Sequence, residues 1–275
     1  MTTTSNARLG RARRALCATV PALVALIVSA PLRAWAADAA ASGLAATPPT
    51  YAVLSLIGDE FSVITRRVSA ESRIDNNDKR VFPVADALFD RTAMAAAEAA
   101  LSQARPGAPV LRFSIRDARL FALQSAVLAD TPESGGLRAA LVKLLHECGA
   151  TQLVLITKRR DDANFKFVES SIGIGKLSGL GFYIDPMTPN YRVDTGEHAA
   201  GYVAPFAYID VALVDVDSMR VVKSAPALES SMTTDAGKSD TFRAWDALTG
   251  QQKVDALERL IRRGVGAALQ SALAG

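Results

Sequence analysis

The stretch Ser134-Gly-Gly-Leu-Arg-Ala-Ala-Leu-Val-Lys-Leu-Leu-His-Glu-Cys-Gly149, continued by Ala150-Thr-Gln-Leu-Val-Leu-Ile156, decides the fold. Leu137, Leu141, Leu144, Leu145 and Cys148 recur at helical spacing and lay one apolar stripe along a helix. Ser134 stands where an N-cap is wanted, and Gly149 where the chain must leave the helix. Leu153 to Ile156 is a continuous apolar run, the pattern of a central strand covered on both faces. A helix feeding directly into such a strand predicts an α/β fold.

Upstream, Val53 to Ile57 reads as the first strand, and Phe61 to Val68 as a second paired back on it through Gly58-Asp59-Glu60. A polar loop is expected over residues 69–82. Pro83 then suits the first turn of an Ala-rich helix from Val84 to Ala104, stopped by Pro106-Gly107. Val110 to Ile115 alternates as a half-buried strand. Downstream, Phe165 to Ile174 and Leu180 to Ile184 read as strands joined around Lys176. Phe206 to Val216 is a long strand that turns through Asp217-Ser218-Met219-Arg220 into Val221 to Ala225. The closing helix has a capping box, Thr249 with Gln252, and a stripe of Val254, Leu257, Ile261, Val265, Ala268 and Ala272. The expected architecture is a mixed β-sheet with packed helices. It forms a single domain over residues 51–274, carrying an irregular insertion at 159–203.

The first 36 residues read as an export signal. Arg8, Arg11, Arg13 and Arg14 precede an apolar run from Leu16 to Leu32, and Ala34-Trp35-Ala36 supplies the small-residue exit before Ala37. Cleavage is expected after Ala36, with a flexible leader over 37–50. An uncleaved anchor is the alternative, but a spanning helix needs ~20 apolar residues, and this run is shorter and carries Pro21. Arg13-Arg14 leaves the general and twin-arginine export routes both open. The pattern predicts a periplasmic protein, with secretion from the cell as the alternative, and no transmembrane helix in the mature chain.

Charge follows the same division. The chain has 31 basic and 28 acidic residues. Five of the basic residues (the four above and Arg33) and none of the acidic ones lie in residues 1–36, so the remainder carries 26 against 28, or −2. That balance gives no basis for nucleic-acid binding. With Cys17 inside the signal, Cys148 is left alone and forms no intrachain disulfide; its place on the apolar stripe predicts a buried, inert thiol.

No motif carries strong chemistry. His146-Glu147 lacks the second histidine of a zinc helix, Ala150 standing in its place, and His146 is expected on the solvent side. Gly173-Ile-Gly175-Lys-Leu-Ser-Gly179-Leu-Gly181 lacks the Ser or Thr after the lysine that a phosphate loop needs, and no helix follows; a glycine hairpin packed against another backbone is expected instead. Asp75-Asn-Asn-Asp78 reads as a plain turn, since Lys79 stands where a calcium ligand belongs. Asp215 and Asp217 read as turn formers. Neither a metal nor a cofactor is expected. An enzymatic alternative, a hydrolase, would use His198 with Asp185, Asp194 or Glu197 in the insertion.

Two segments resemble a known group. Gly149-Ala-Thr-Gln-Leu-Val-Leu-Ile-Thr157 and Tyr208-Ile-Asp-Val-Ala-Leu-Val-Asp-Val-Asp-Ser-Met-Arg-Val-Val222 are similar to the helix–strand and hairpin signatures of bacterial envelope domains such as the N-terminal domain of TolB and the curli secretion subunit CsgG. Ser218-Met219 replaces their Thr-Gly at the turn, and Lys158 stands where a glycine follows their central strand. The resemblance implies an envelope interaction or assembly module, with an envelope protein or a second copy in an oligomer as partner and outer-membrane contact as an option. A small-ligand binder with its pocket under the insertion is the further alternative. The contact residues expected in the insertion are Phe165, Phe167, Lys176, Phe182, Tyr183 and Tyr191.

Overall fold

The computed structural model describes residues 48–274 apart from 68–76, 85, 116, 130, 168–169, 192–197 and 234–243. The expected signal and its cleavage residues Ala34, Ala36 and Ala37 lie outside the described residues. The elements in chain order are β1 (Tyr51–Ser55), β2 (Glu60–Thr65), β3 (Asp78–Pro83), α1 (Leu88–Ala104), β4 (Val110–Phe113), α2 (Ala118–Ala122), α3 (Gly135–Glu147) and β5 (Gln152–Lys158). There follow β6 (Arg160–Asp162), β7 (Phe165–Phe167), β8 (Ser170–Ile172), β9 (Lys176–Tyr191), β10 (His198–Asp215), β11 (Arg220–Ser230) and α4 (Gly250–Leu273).

The fold is α/β with one large mixed sheet, ordered β3-β2-β9-β10-β5-β1-β4, as the helix–strand pattern predicts. β1 is buried along its whole length and pairs in parallel with both β4 and β5. Both its edges are therefore occupied, and the hairpin expected between the first two strands does not form. β2 instead pairs antiparallel with β3 and parallel with β9. β3 takes part of the expected polar loop, and Pro83 ends that strand, where a missing N–H is tolerated. The following helix accordingly begins at Leu88, not Val84.

β10 is the spine. One edge pairs with β9 as far as Tyr208 and with β5 from Ile209 onward, while the other edge pairs with β11 over Phe206 to Asp215. The sheet thus divides along one strand into a β5-β1-β4 half and a β9-β2-β3 half. The described part of the expected irregular insertion is mostly β-structure, in β6 to β9 and the start of β10.

Alternation along the strands feeds two faces. Tyr51, Val53 and Ile57 pack with α1 and α4, whereas Ala52, Leu54 and Leu56 pack with α2 and α3. Under the other half lies an aromatic cluster of Phe165, Tyr183, Tyr202, Phe206 and Tyr208. α4 keeps its capping box, with Thr249 Oγ1 accepting from Gln252 N at 3.2 Å and Gln252 Oε1 from Thr249 N at 2.8 Å. Two local expectations fail on α3. Ser134 directs its hydroxyl to Ala129 O (2.7 Å) and makes no side-chain cap. Cys148 is exposed, because Gly149 (φ +69°) ends the helix before the stripe can carry the thiol inward.

Candidate functional site at the carboxyl ends of β1 and β5

Chain order places a crevice. From β1 the chain runs through α1 to β4 on one side, and from β4 through α3 to β5 on the other. The direction of sheet growth reverses at β1. β1 leaves toward α1 on one face and β4 toward α2 and α3 on the other, and in open α/β sheets such a reversal leaves a crevice beyond the carboxyl ends of the strands. A cleft of about 630 Å³ opens there, between the Gly58-Asp59-Glu60 turn, α2 and Lys158.

Asp90, in the first turn of α1, forms its floor and is only 5% exposed. Its Oδ1 accepts from Ser55 Oγ (2.7 Å), Ile57 N (3.0 Å) and Gly58 N (3.1 Å), which satisfies the amides where β1 leaves the sheet. Its Oδ2 accepts from no donor among the described residues. Burial pushes the Asp90 carboxyl above its ordinary range against the opposing pull of those three donors, and the Asp59 carboxylate adds to the rise. Gly58 gives Oδ2 its room: a Cβ there would stand 2.6 Å from that oxygen and 2.8 Å from Asp90 N.

Lys158 closes one side. Its Nζ reaches Asp59 Oδ1 at 2.6 Å and Glu60 Oε1 at 3.1 Å, with the side chain 14% exposed. Gln124 Oε1 accepts from Lys158 N at 2.7 Å and Gln124 Nε2 donates to Phe121 O at 2.8 Å, so one amide ties β5 to α2. Val84, Ile115 and Phe121 supply an apolar wall. The cleft therefore sets an acidic floor beneath an apolar side. Ser55 is 3% exposed with its hydroxyl given to Asp90, so it presents no nucleophile.

The residues expected from sequence fall elsewhere. Phe165, Phe182 and Tyr183 are buried in the interior and cannot serve as exposed contacts; their size made them core. Lys176 is exposed and pairs with Asp162 (2.6 Å). Phe167 and Tyr191 belong to β7 and β9, but their side chains lie outside the described set. His198 opens β10 opposite Tyr191, whereas Asp185 lies opposite Tyr202. Six residues of β9 separate the two positions, roughly 20 Å at ~3.3 Å per residue, so the expected His198–Asp185 pair is not formed. Asp194 and Glu197 lie outside the described residues.

Asp185 is engaged on its own account, accepting from Arg66 Nη1 (2.7 Å), Thr188 Oγ1 (2.7 Å) and the amides of Met187 and Thr188. His146 meets Asp217 at 3.1 Å on the surface, and Asp215 accepts from the Ser218 amide and hydroxyl as a turn former. Among the described residues no three His, Cys, Asp or Glu side chains are placed to hold a metal, and no helix is long and apolar enough to cross a membrane. Sequence reading missed Asp90, because an acid in a first helical turn ordinarily signals only the helix dipole.

No family model matches the chain, and no curated protein does. Among solved structures, the hypothetical protein CT253 from Chlamydia trachomatis is similar at 10% identity, with 81% of this chain and 99% of that one covered and a TM-score of 0.31.

Proposed function

We propose that this chain is an exported, periplasmic binding protein that holds a small ligand in the cleft beyond β1 and β5. Export rests on the Arg8-to-Ala36 pattern. The observation that carries the binding reading is Asp90, a carboxyl 5% exposed with one oxygen saturated and the other facing the cleft without a protein donor. That oxygen opens to the cleft, where a donor on a ligand can reach it. Ala122 is exposed on the rim, so Ala122→Trp fills the cleft without touching the core. In a thermal-shift screen of small molecules, ligands of the cleft should stabilise the wild type and lose that effect in Ala122→Trp. Stabilisation that survives the substitution for every hit would refute the assignment.

A second reading, the envelope interaction or assembly module, finds support on β11. Val222 and Leu228 are 60% and 46% exposed on this edge strand. Exposure alternates from Val222 through Ser224 and Pro226 to Leu228, so both lie on the solvent side although Val222 sits in a bulge, while Lys223 and Pro226 discourage strand-to-strand addition. This reading expects self-association by that face. Sedimentation velocity should detect a dimer that Val222→Asp with Leu228→Asp abolishes, and a monomer at all concentrations would exclude it.

A further inference from the structure

Resting on the cleft as the binding site, we infer that its ligand carries a protonated amine, which donates to the open Oδ2 of Asp90, on an apolar body lying against Phe121 and Ile115. Three observations converge. First, Asp90 is a buried acid with no cation beside it among the described residues: Lys158, the one basic residue among the described lining of the cleft, is held by Asp59 and Glu60. A buried carboxylate without a counter-ion is unfavourable, and the carboxyl's raised affinity for its proton reflects that deficit. A ligand ammonium would supply the missing charge.

Second, the geometry leaves one oxygen for the purpose. Oδ1 already accepts three hydrogen bonds, whereas Oδ2 faces the cleft above the bare Cα of Gly58. Third, the remaining charges select sign. Among the described lining residues Asp59, Glu60 and Asp90 outnumber Lys158, so an anion would meet net repulsion from them and find no unpaired cation among them. A bare divalent ion is disfavoured as well, since Asp59 and Glu60 face Lys158 and leave too few oxygens to complete a coordination shell. The apolar wall favours an amine on a hydrocarbon or aromatic body over a compact polar cation.

Calorimetry on the purified full chain at neutral pH tests this with phenethylamine, its uncharged analogue 2-phenylethanol, the anion phenylacetate, and magnesium or calcium chloride alone. Phenethylamine should bind at least tenfold more tightly than 2-phenylethanol, and Asp90→Asn should bring the two within about twofold, since Asn keeps an acceptor for Ser55, Ile57 and Gly58. Should Asp90→Asn fail to fold, the wild-type preference and its loss in Ala122→Trp decide alone. Equal binding of amine and alcohol, or binding of phenylacetate in the cleft, overturns the amine while leaving the cleft as the site. A metal-ion heat abolished by Asp90→Asn overturns it in favour of a cation site. If no probe binds, the amine inference fails, and the cleft itself fails only if the Ala122→Trp screen is negative too.

Discussion

The hydroxyl of Ser55, the last residue of β1, donates to Oδ1 of Asp90 in the first turn of α1 across 2.7 Å, inside the protein. Ile57 and Gly58 add their amides to the same oxygen, so one carboxyl group clasps a strand end to a helix start. The clasp fixes the exit of β1 and leaves Oδ2 at the cleft. Structural and binding roles therefore meet in one side chain, and substitutions can separate them.

Asp90→Ala strands three buried donors and should cost about 3 kcal/mol, at the upper end for unsatisfied buried groups. Asp90→Asn keeps an acceptor and should cost far less. The pH dependence carries a sign. The folded-state pKa of Asp90 is raised, so the folded protein holds the proton more tightly than the unfolded chain does. Stability from this group is fully present below the unfolded value of about 3.9 and declines as pH rises toward the folded one. Urea unfolding should show Asp90→Asn gaining on the wild type between pH 4 and pH 7. A difference independent of pH would refute this account.

Two glycines should respond in opposite directions to alanine. A Cβ on Gly181 would collide with the Ser62 carbonyl oxygen and approach Phe206 Cζ at 2.7 Å, where β9 pairs in parallel with β2. Gly181→Ala should cost about 3 kcal/mol, because backbone cannot move aside as a side chain does. Gly266 lies within α4 and a Cβ there would meet nothing within 4 Å. Gly266→Ala should add about 0.5–1 kcal/mol through helix propensity. Thermal unfolding of both variants checks the pair.

These positions mark how far the sequence could be read. Residues whose partners are close along the chain were legible: the α4 capping box, Gly149 at the end of α3, and the Asp215–Ser218 turn. The continuous apolar run of β5 correctly announced a strand covered on both faces. Partner choice was not legible. An apolar run looks the same whether its strand pairs with the next or with two distant ones, so β1 was assigned to a hairpin that β4 and β5 exclude. Large aromatics likewise suggest contact or core equally, and Phe165, Phe182 and Tyr183 proved to be core. The cleft escaped because it joins Ser55, Asp90 and Lys158, which only the crossovers of the fold bring together.

Arg66 and Asp185 form the second testable electrostatic contact. Burial tends to raise the Asp185 carboxyl, but Thr188 Oγ1, the Arg66 guanidinium and the amides of Met187 and Thr188 together hold it below its ordinary range. Its contribution is present above the unfolded value of about 3.9 and is lost as pH falls through the lower folded value. Arg66→Met leaves the carboxylate with its neutral donors only and should cost about 2 kcal/mol at pH 7, less than a fully enclosed pair because Arg66 is partly exposed. The loss should shrink as pH falls, because the ion pair is lost once Asp185 takes its proton. Equal losses at pH 7 and at acidic pH would count against it.

Met219 tests whether the β10–β11 turn is strained. It holds φ +53°, a left-handed conformation that favours glycine, and it is 4% exposed within the core formed with α2 and α3. Two effects oppose each other. Left-handed backbone costs a residue with a Cβ roughly 1–2 kcal/mol, while removing a buried methionine side chain costs about 2–5 kcal/mol. Packing should win, so Met219→Gly and Met219→Ala should both destabilise. Their order discriminates: glycine relieves the turn and alanine does not, so Met219→Gly should be the more stable of the two by about 1 kcal/mol, the reverse of their ranking in regular structure. Chemical denaturation of the three proteins measures this. Alanine above glycine would mean the turn relaxes to an ordinary conformation, and the methionine is then held there by packing without strain.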